Sequence, residues 1–330
     1  MREDLEGETG PTTPDRIADA VESTDTDELL RIIDGFCQAR EWDELLNLRH
    51  RCAEALTRGR QLWGVDEHIR YRLALEAPGS WAGPVIDEGP TQFTLGSLAE
   101  TASSTKTWAE LEPHIHLETA RRTVAAERAV RGEMMPEGTD LELPRHLQHW
   151  EPSYPAPVFR SDRVDAPTPD LAEPKPIETA AAEIVDDPGG TAALESLVHP
   201  WITESNGVVS AVCVDGDGPS AVAALGAPQI EVAPLDGPTA LAWMAWAAST
   251  GGAHGRRPGL AAGRAAAWFV VSELSDLDWP ADPDQVGAGL ERLRWWRWSA
   301  GGSETGWTIQ IAADDPESGL AWALGAQDAL

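Results

Sequence analysis

Between Gly237 and Ser272 the chain reads GPTALAWMAWAASTGGAHGRRPGLAAGRAAAWFVVS, without one Asp or Glu, although its formal net charge is −30. Two apolar, Ala-rich segments carrying Trp243, Trp246, Trp268 and Phe269 flank a Gly/Arg turn. Ala240–Ser249 is apolar nearly all round, the pattern of a buried helix. Asp236 or Thr239 can cap its start. Gly251 and Gly252 suit its end, because glycine accepts positive φ. Pro258 suits the first turn of a following helix, where a missing N–H costs nothing. The small residues from Gly259 to Ala267 leave that helix open to close approach. Each half is shorter than the roughly 20 apolar residues a membrane span needs. The stretch therefore predicts a buried helical hairpin, and much of the remaining chain has to pack around it.

What precedes it divides by composition. Residues 1–26 are acidic and rich in Thr, Pro and Gly, which predicts a disordered tail. From Asp27 to about residue 150, apolar residues recur at helical spacing: Leu29, Leu30, Ile32, Ile33 and Phe36, then Leu45, Leu46, Leu48, Cys52, Ala55 and Leu56. An all-α region is expected there. Residues 151–176 are crowded with proline and acid, as in an extended arm or linker. From 177 to 330 the patterns mix. Helices are expected at Ile177–Val185, Thr191–Leu197, Asp282–Leu293 and Glu317–Ala326. Val208–Val214 reads as a central strand covered on both faces, and Gln229–Val232 as another. Trp295–Trp298 and Trp307–Ala312 read as an antiparallel pair. The fold class is α+β: an all-α helical N-terminal domain, then a mixed α/β C-terminal domain with a small sheet and the buried hairpin.

Charge and cysteine content exclude several functions. The acid excess disfavours nucleic-acid binding, which relies on a basic footprint. The three cysteines are widely spaced, giving neither a disulfide framework nor a metal knuckle. The N-terminus lacks an apolar signal region, so a cytoplasmic location is expected. Arginine stands in for lysine almost throughout, a pattern that fits high-GC coding.

The run Gly251–Arg264, the Arg-Trp-Trp-Arg-Trp at Arg294–Trp298, and the stretch from Thr305-Gly306-Trp307 to Leu320–Ala323 resemble an uncharacterised family of high-GC bacterial proteins of unknown function. The resemblance implies no activity and no catalytic residue. It implies that the Gly/Arg turn is a family feature.

Asp215-Gly216-Asp217-Gly218-Pro219-Ser220-Ala221 reads as a dinucleotide loop with Asp236 downstream, as a DxD phosphatase loop, or as a tight strand-to-helix turn. The helix after it is too short for a βαβ unit, and no lysine follows Lys175, so the plain turn is favoured. A calcium loop fails because its twelfth position is Gly226. His114 with His116 and His146 with His149 can chelate on paper but lack a carboxylate at motif spacing. Neither a metal nor another cofactor is expected. Trp295, Trp296 and Trp298 form either a stacking platform or core packing with cation–π cover. Core packing is the simpler reading.

One ligand site stands out. His254, Arg256, Arg257 and Arg264 surround the start of the second hairpin helix. Helix N-termini attract anions, glycines let backbone N–H groups approach, and guanidinium forks fit phosphate or carboxylate. The competing fate of these arginines is pairing with structural acids from elsewhere in so acidic a chain. The functional expectation is a non-enzymatic interaction or ligand-sensing protein whose partner is another protein or a small anion. The alternative is an enzyme acting on a phosphorylated or carboxylated small molecule at the same turn.

Overall fold

The computed structural model describes residues 13–92, 94–226, 229–301 and 306–329. The first half is helical: α1 (Thr13–Ser23), α2 (Thr26–Ala39), α3 (Trp42–Thr57), α4 (Trp63–Glu76), α5 (Gly79–Asp87), α6 (Leu98–Thr105), α7 (Trp108–Leu111) and α8 (Glu118–Val130). Helix α1 corrects the expected tail. Ile17, Ala20 and Val21 share one helical face and are buried, and three apolar residues at that spacing suffice to dock an otherwise acidic segment. Residues 1–12 lie outside the described residues. Asp25 caps α2 through its side chain, accepting from the Glu28 N–H. Leu29, Ile33, Leu45, Leu48, Ile69 and Leu73 form the fully buried centre of this half.

The Pro-rich arm is docked. Its strands β1 (Val158–Phe159) and β2 (Val164–Asp165) pair antiparallel. Phe159 enters the helical core, while Tyr154, eight residues after His146, enters the core of the second half. The Tyr71 hydroxyl donates to the Arg160 carbonyl at 2.5 Å.

The second half contains β3 (Lys175–Pro176), β4 (Glu183–Ile184), α9 (Pro188–Ser196), α10 (His199–Thr203), β5 (Val208–Asp215), α11 (Gly218–Ala224), β6 (Glu231–Leu235), α12 (Gly237–Ser249), α13 (Leu260–Leu274), α14 (Pro283–Arg292), β7 (Arg294–Ser299), β8 (Trp307–Asp314) and β9 (Leu320–Asp328). Seven strands form one antiparallel sheet in the order β3-β6-β7-β8-β9-β5-β4. One face carries α9, α12, α13 and α14, with Trp295, Ile309, Ile311, Trp322 and Leu324 pointing into that core. Val214, Val222, Trp298 and Ala323 pack on the other face, beneath α11. The class is α+β. Four helices of this half start at an aspartate followed within two residues by proline: Asp187, Asp217, Asp236 and Asp282 each accept a backbone N–H one turn on. The carboxylate satisfies an orphan donor, and proline occupies a position that needs none.

Several expectations need correction. The segment expected as a last helix is β9, because it fills the gap between β5 and β8 and pairs along both. Ladder formation there outweighs the helix preference of its Ala and Leu residues. Ile177–Val185 is not helical: Pro174 and Pro176 bias the backbone, and β3 just before the segment and β4 near its end hold opposite edges of the sheet. Val208–Val214 is not central. Only Val214 and Asp215 are paired on both sides, and Val208 is 67% exposed. The Asp215–Ala221 segment is the plain turn. Asp217 caps α11, and β6, the strand that follows it, is separated from β5 by three other strands of the sheet, so this turn and its seven-residue helix do not build the adjacent-strand βαβ unit of a dinucleotide site. The Arg294–Trp298 run is core packing: Trp295 and Trp298 are buried, and the Trp296 indole donates to Asp314 at 2.8 Å.

The helical hairpin is present as expected. Ala240–Ser249 is buried throughout. A Cβ on Gly263 would stand 2.2 Å from the Ala245 carbonyl oxygen, so α12 and α13 touch backbone to backbone where only glycine fits. No helix among the described residues is long and apolar enough to cross a membrane.

Candidate functional site

The hairpin turn lies where the two halves meet, with α8 packed against α13. It draws three buried acids out of the helical half and the arm. Glu127 of α8 accepts the Ala261 N–H at 3.0 Å, and it pairs with Arg131 one turn further along α8. A Cβ on Gly259, whose φ is +105°, would stand 2.6 Å from Glu127 Oε1. The N-terminus of α13 does attract an anion, and that anion is Glu127.

The four residues singled out in the sequence are not gathered into one site. Arg264 turns inward. Its Nε and Nη2 donate to Glu151 at 2.8 and 2.7 Å, and Nη1 donates to the Pro144 carbonyl at 3.0 Å. Both side chains of this pair are almost completely buried. Glu151 also accepts from the Trp268 indole at 3.0 Å, the Tyr154 hydroxyl at 2.7 Å and the Gln148 N–H at 2.8 Å. With its lone pairs filled and a guanidinium beside it, a buried carboxylate is fully compensated. Burial beside that carboxylate holds the Tyr154 hydroxyl well above its ordinary pKa. Arg264 is therefore a structural bolt between the arm and α13.

Arg257 lies between the two fates. Its Nη2 donates to Glu100 of α6 at 3.2 Å. Glu100 is fully buried, and its Oε2 meets no hydrogen-bond donor among the described residues. Burial pushes the Glu100 carboxyl up to about 7, against the pull of Arg257; the charge of Glu127 adds to the rise, and Arg131 opposes it. A folded-state value above the usual 4.5 means the folded chain holds an extra proton between about pH 4.5 and 7. Its stability therefore falls as pH rises through that window, and the whole penalty is present above pH 7. His68, lowered by burial, acts in the opposite sense near its own pKa, so the difference between wild type and Glu100→Gln isolates the effect. Urea unfolding should show that difference moving in favour of wild type by up to about 1.4 kcal/mol per pH unit of acidification from 7 towards 5. A flat difference would contradict the assignment.

Arg256 and His254 face outward. The Arg256 side chain is 63% exposed, with Nε 3.5 Å from the rim residue Glu204. Glu204 also accepts the Arg256 N–H at 2.9 Å, and Asp328 accepts the Ala253 N–H at 2.6 Å. These two acids hold the turn by its backbone. In front of it lies a groove of 390 Å³, walled by Gln92, Thr94 and Leu95 from the helical half, by Val164 and Ala166 from the arm, and by Trp307. Its lining contains His254, Arg256 and Arg257 and, among the described residues, no carboxylate. A wider cleft of 620 Å³ on the other side of α13 mixes Arg122 and Arg264 with Glu127, Asp140 and Glu142. It has no single sign, and Arg122 is paired there with Asp140.

Residues 27–329 match the Family of unknown function (DUF6183). The chain belongs to that family. The DUF6183 match spans the turn, all three buried acids and both walls of the groove. No curated protein and no solved structure matches the chain.

The acids were not legible in the sequence. Glu100, Glu127 and Glu151 lie 157, 134 and 113 residues from the groups they hold, and the chain offers 55 Asp and Glu to choose from. The groove walls from residues 92–95 and 164–166 gave no signal either. Among the described residues no group of three or more His, Cys, Asp or Glu stands together as a metal site would.

Proposed function

We propose that this is a non-enzymatic, cytoplasmic ligand-sensing protein that takes a small anion in the groove of the Gly/Arg turn. The observation that carries the reading is the sign of that groove: two arginines and a histidine with no carboxylate among the described residues of the lining, in a chain of net charge −30. Arg256 is the cation a ligand meets first. Its exposed contact with Glu204 is of a kind that contributes little, so a phosphate or carboxylate can displace it and use the guanidinium fork instead. Arg257 supplies the sensing step. It reaches from the groove lining to Glu100, so an anion that draws on Arg257 alters the balance of a buried carboxylate held between α6 and α13. The arginine-for-lysine bias fits a high-GC bacterial source for the family.

An enzyme acting on the same anions would use the same groove. Among the described residues its lining offers His254 but no acid to orient that histidine as a base, and no cysteine, which favours binding over turnover.

Calorimetric titration of inorganic phosphate and sulfate at low ionic strength tests the reading. Saturable binding to wild type is expected, weakened at least tenfold by Arg256→Ala. The stability of that variant should stay within about 0.5 kcal/mol of wild type, as for an ordinary surface substitution. Absence of saturable binding to wild type would overturn the proposal.

A further inference from the structure

The groove of the turn continues. A second cleft, of 520 Å³, shares Ala166 and Trp307 with it and extends along the arm past Pro169 and Leu171 to Trp243 and Trp246. Its lining likewise contains no carboxylate among the described residues. Trp307 stands where the two clefts join, half-buried and stacked on Trp246 with ring centres 5.5 Å apart and planes 25° from parallel. Both clefts lie within the 300–1,000 Å³ common for small-molecule sites.

We infer that the continuous groove binds a phosphate monoester carrying a flat aromatic ring, with the phosphate at His254 and Arg256 and the ring against Trp307. The inference rests on the anion-binding reading above and names the ligand class for that site. Two observations beyond the charged turn support it. First, a partly exposed indole adjoining an anion-binding turn offers a π-face to a planar group, and aromatic pairs favour offset stacking of the kind Trp307 already makes with Trp246. Second, Trp246 is 5% exposed, lines the second cleft, and its indole N–H finds no acceptor among the described residues. Buried donors nearly always have a partner, and an acceptor atom on a ligand ring would supply one. The Trp201 indole donates to Thr250 and that of Trp298 to the Leu324 carbonyl, whereas the Trp150 indole, away from this cleft, shares the unpaired state of Trp246.

The test uses the full chain and three probes: inorganic phosphate, cyclohexyl phosphate and phenyl phosphate, titrated calorimetrically at one low salt concentration. Phenyl phosphate is expected to bind at least tenfold tighter than inorganic phosphate and clearly tighter than cyclohexyl phosphate, whose ring is not flat. Trp307→Ala and the bulk-preserving Trp307→Leu should both abolish that preference while leaving phosphate affinity within about twofold. Phosphate binding with no gain for phenyl phosphate would overturn the inference and leave the anion site standing. So would a gain that survives both substitutions. If none of the three probes bound, the anion-binding reading itself would fall, and this inference with it.

Discussion

Replacing Arg264 with alanine is expected to cost about 3–5 kcal/mol of stability, the range for removing one partner of a buried ion pair. The substitution leaves Glu151 charged, nearly inaccessible to solvent and short of its two best donors. It also frees the Pro144 carbonyl that Arg264 holds. Because Glu151 belongs to the arm and Arg264 to α13, the loss falls on the joint between them. Urea unfolding reads it directly. A loss below about 1 kcal/mol would show that the carboxylate finds water or another partner, and that the bolt is weaker than its geometry implies.

Trp268→Ala is expected to cost a similar amount, about 3–5 kcal/mol. Its ring is fully buried in the main core, 4.9 Å from the ring of Trp150, and the Arg264 guanidinium lies 5.3 Å above it. Its indole is one of the donors to Glu151. A loss below about 0.5 kcal/mol, the scale of exposed substitutions, would contradict the packing described. Since the two side chains share Glu151 and touch each other, their combined loss should fall short of the sum.

These residues show how far the sequence reaches. The hairpin was legible because its signals are local: an acid-free apolar run, Asp236 ahead of it, and Gly252 and Gly259 at the two positive-φ positions of the turn. Most helices of the first half were legible for the same reason. Strand β9 was not, because its residues favour a helix in isolation and become a strand only when β5 and β8 offer ladders on both sides. Helix α1 was hidden by acidic surroundings that outweighed three apolar residues in the composition. The partition of the arginines was out of reach. Nothing near Arg264 in the sequence distinguishes it from Arg256, yet one is bolted to Glu151 and the other faces the groove. That difference is set by the far wall each meets, and the far walls are distant in the chain.

The central claim is that an anion in the groove is felt by both halves through Arg257. Hydrogen exchange of the full chain, with and without saturating inorganic phosphate, tests it most directly. Slower exchange is expected at the amides of residues 251–257, and also in the first turn of α6 around Glu100. Unchanged exchange at 251–257, or protection there with none around Glu100, would contradict the account.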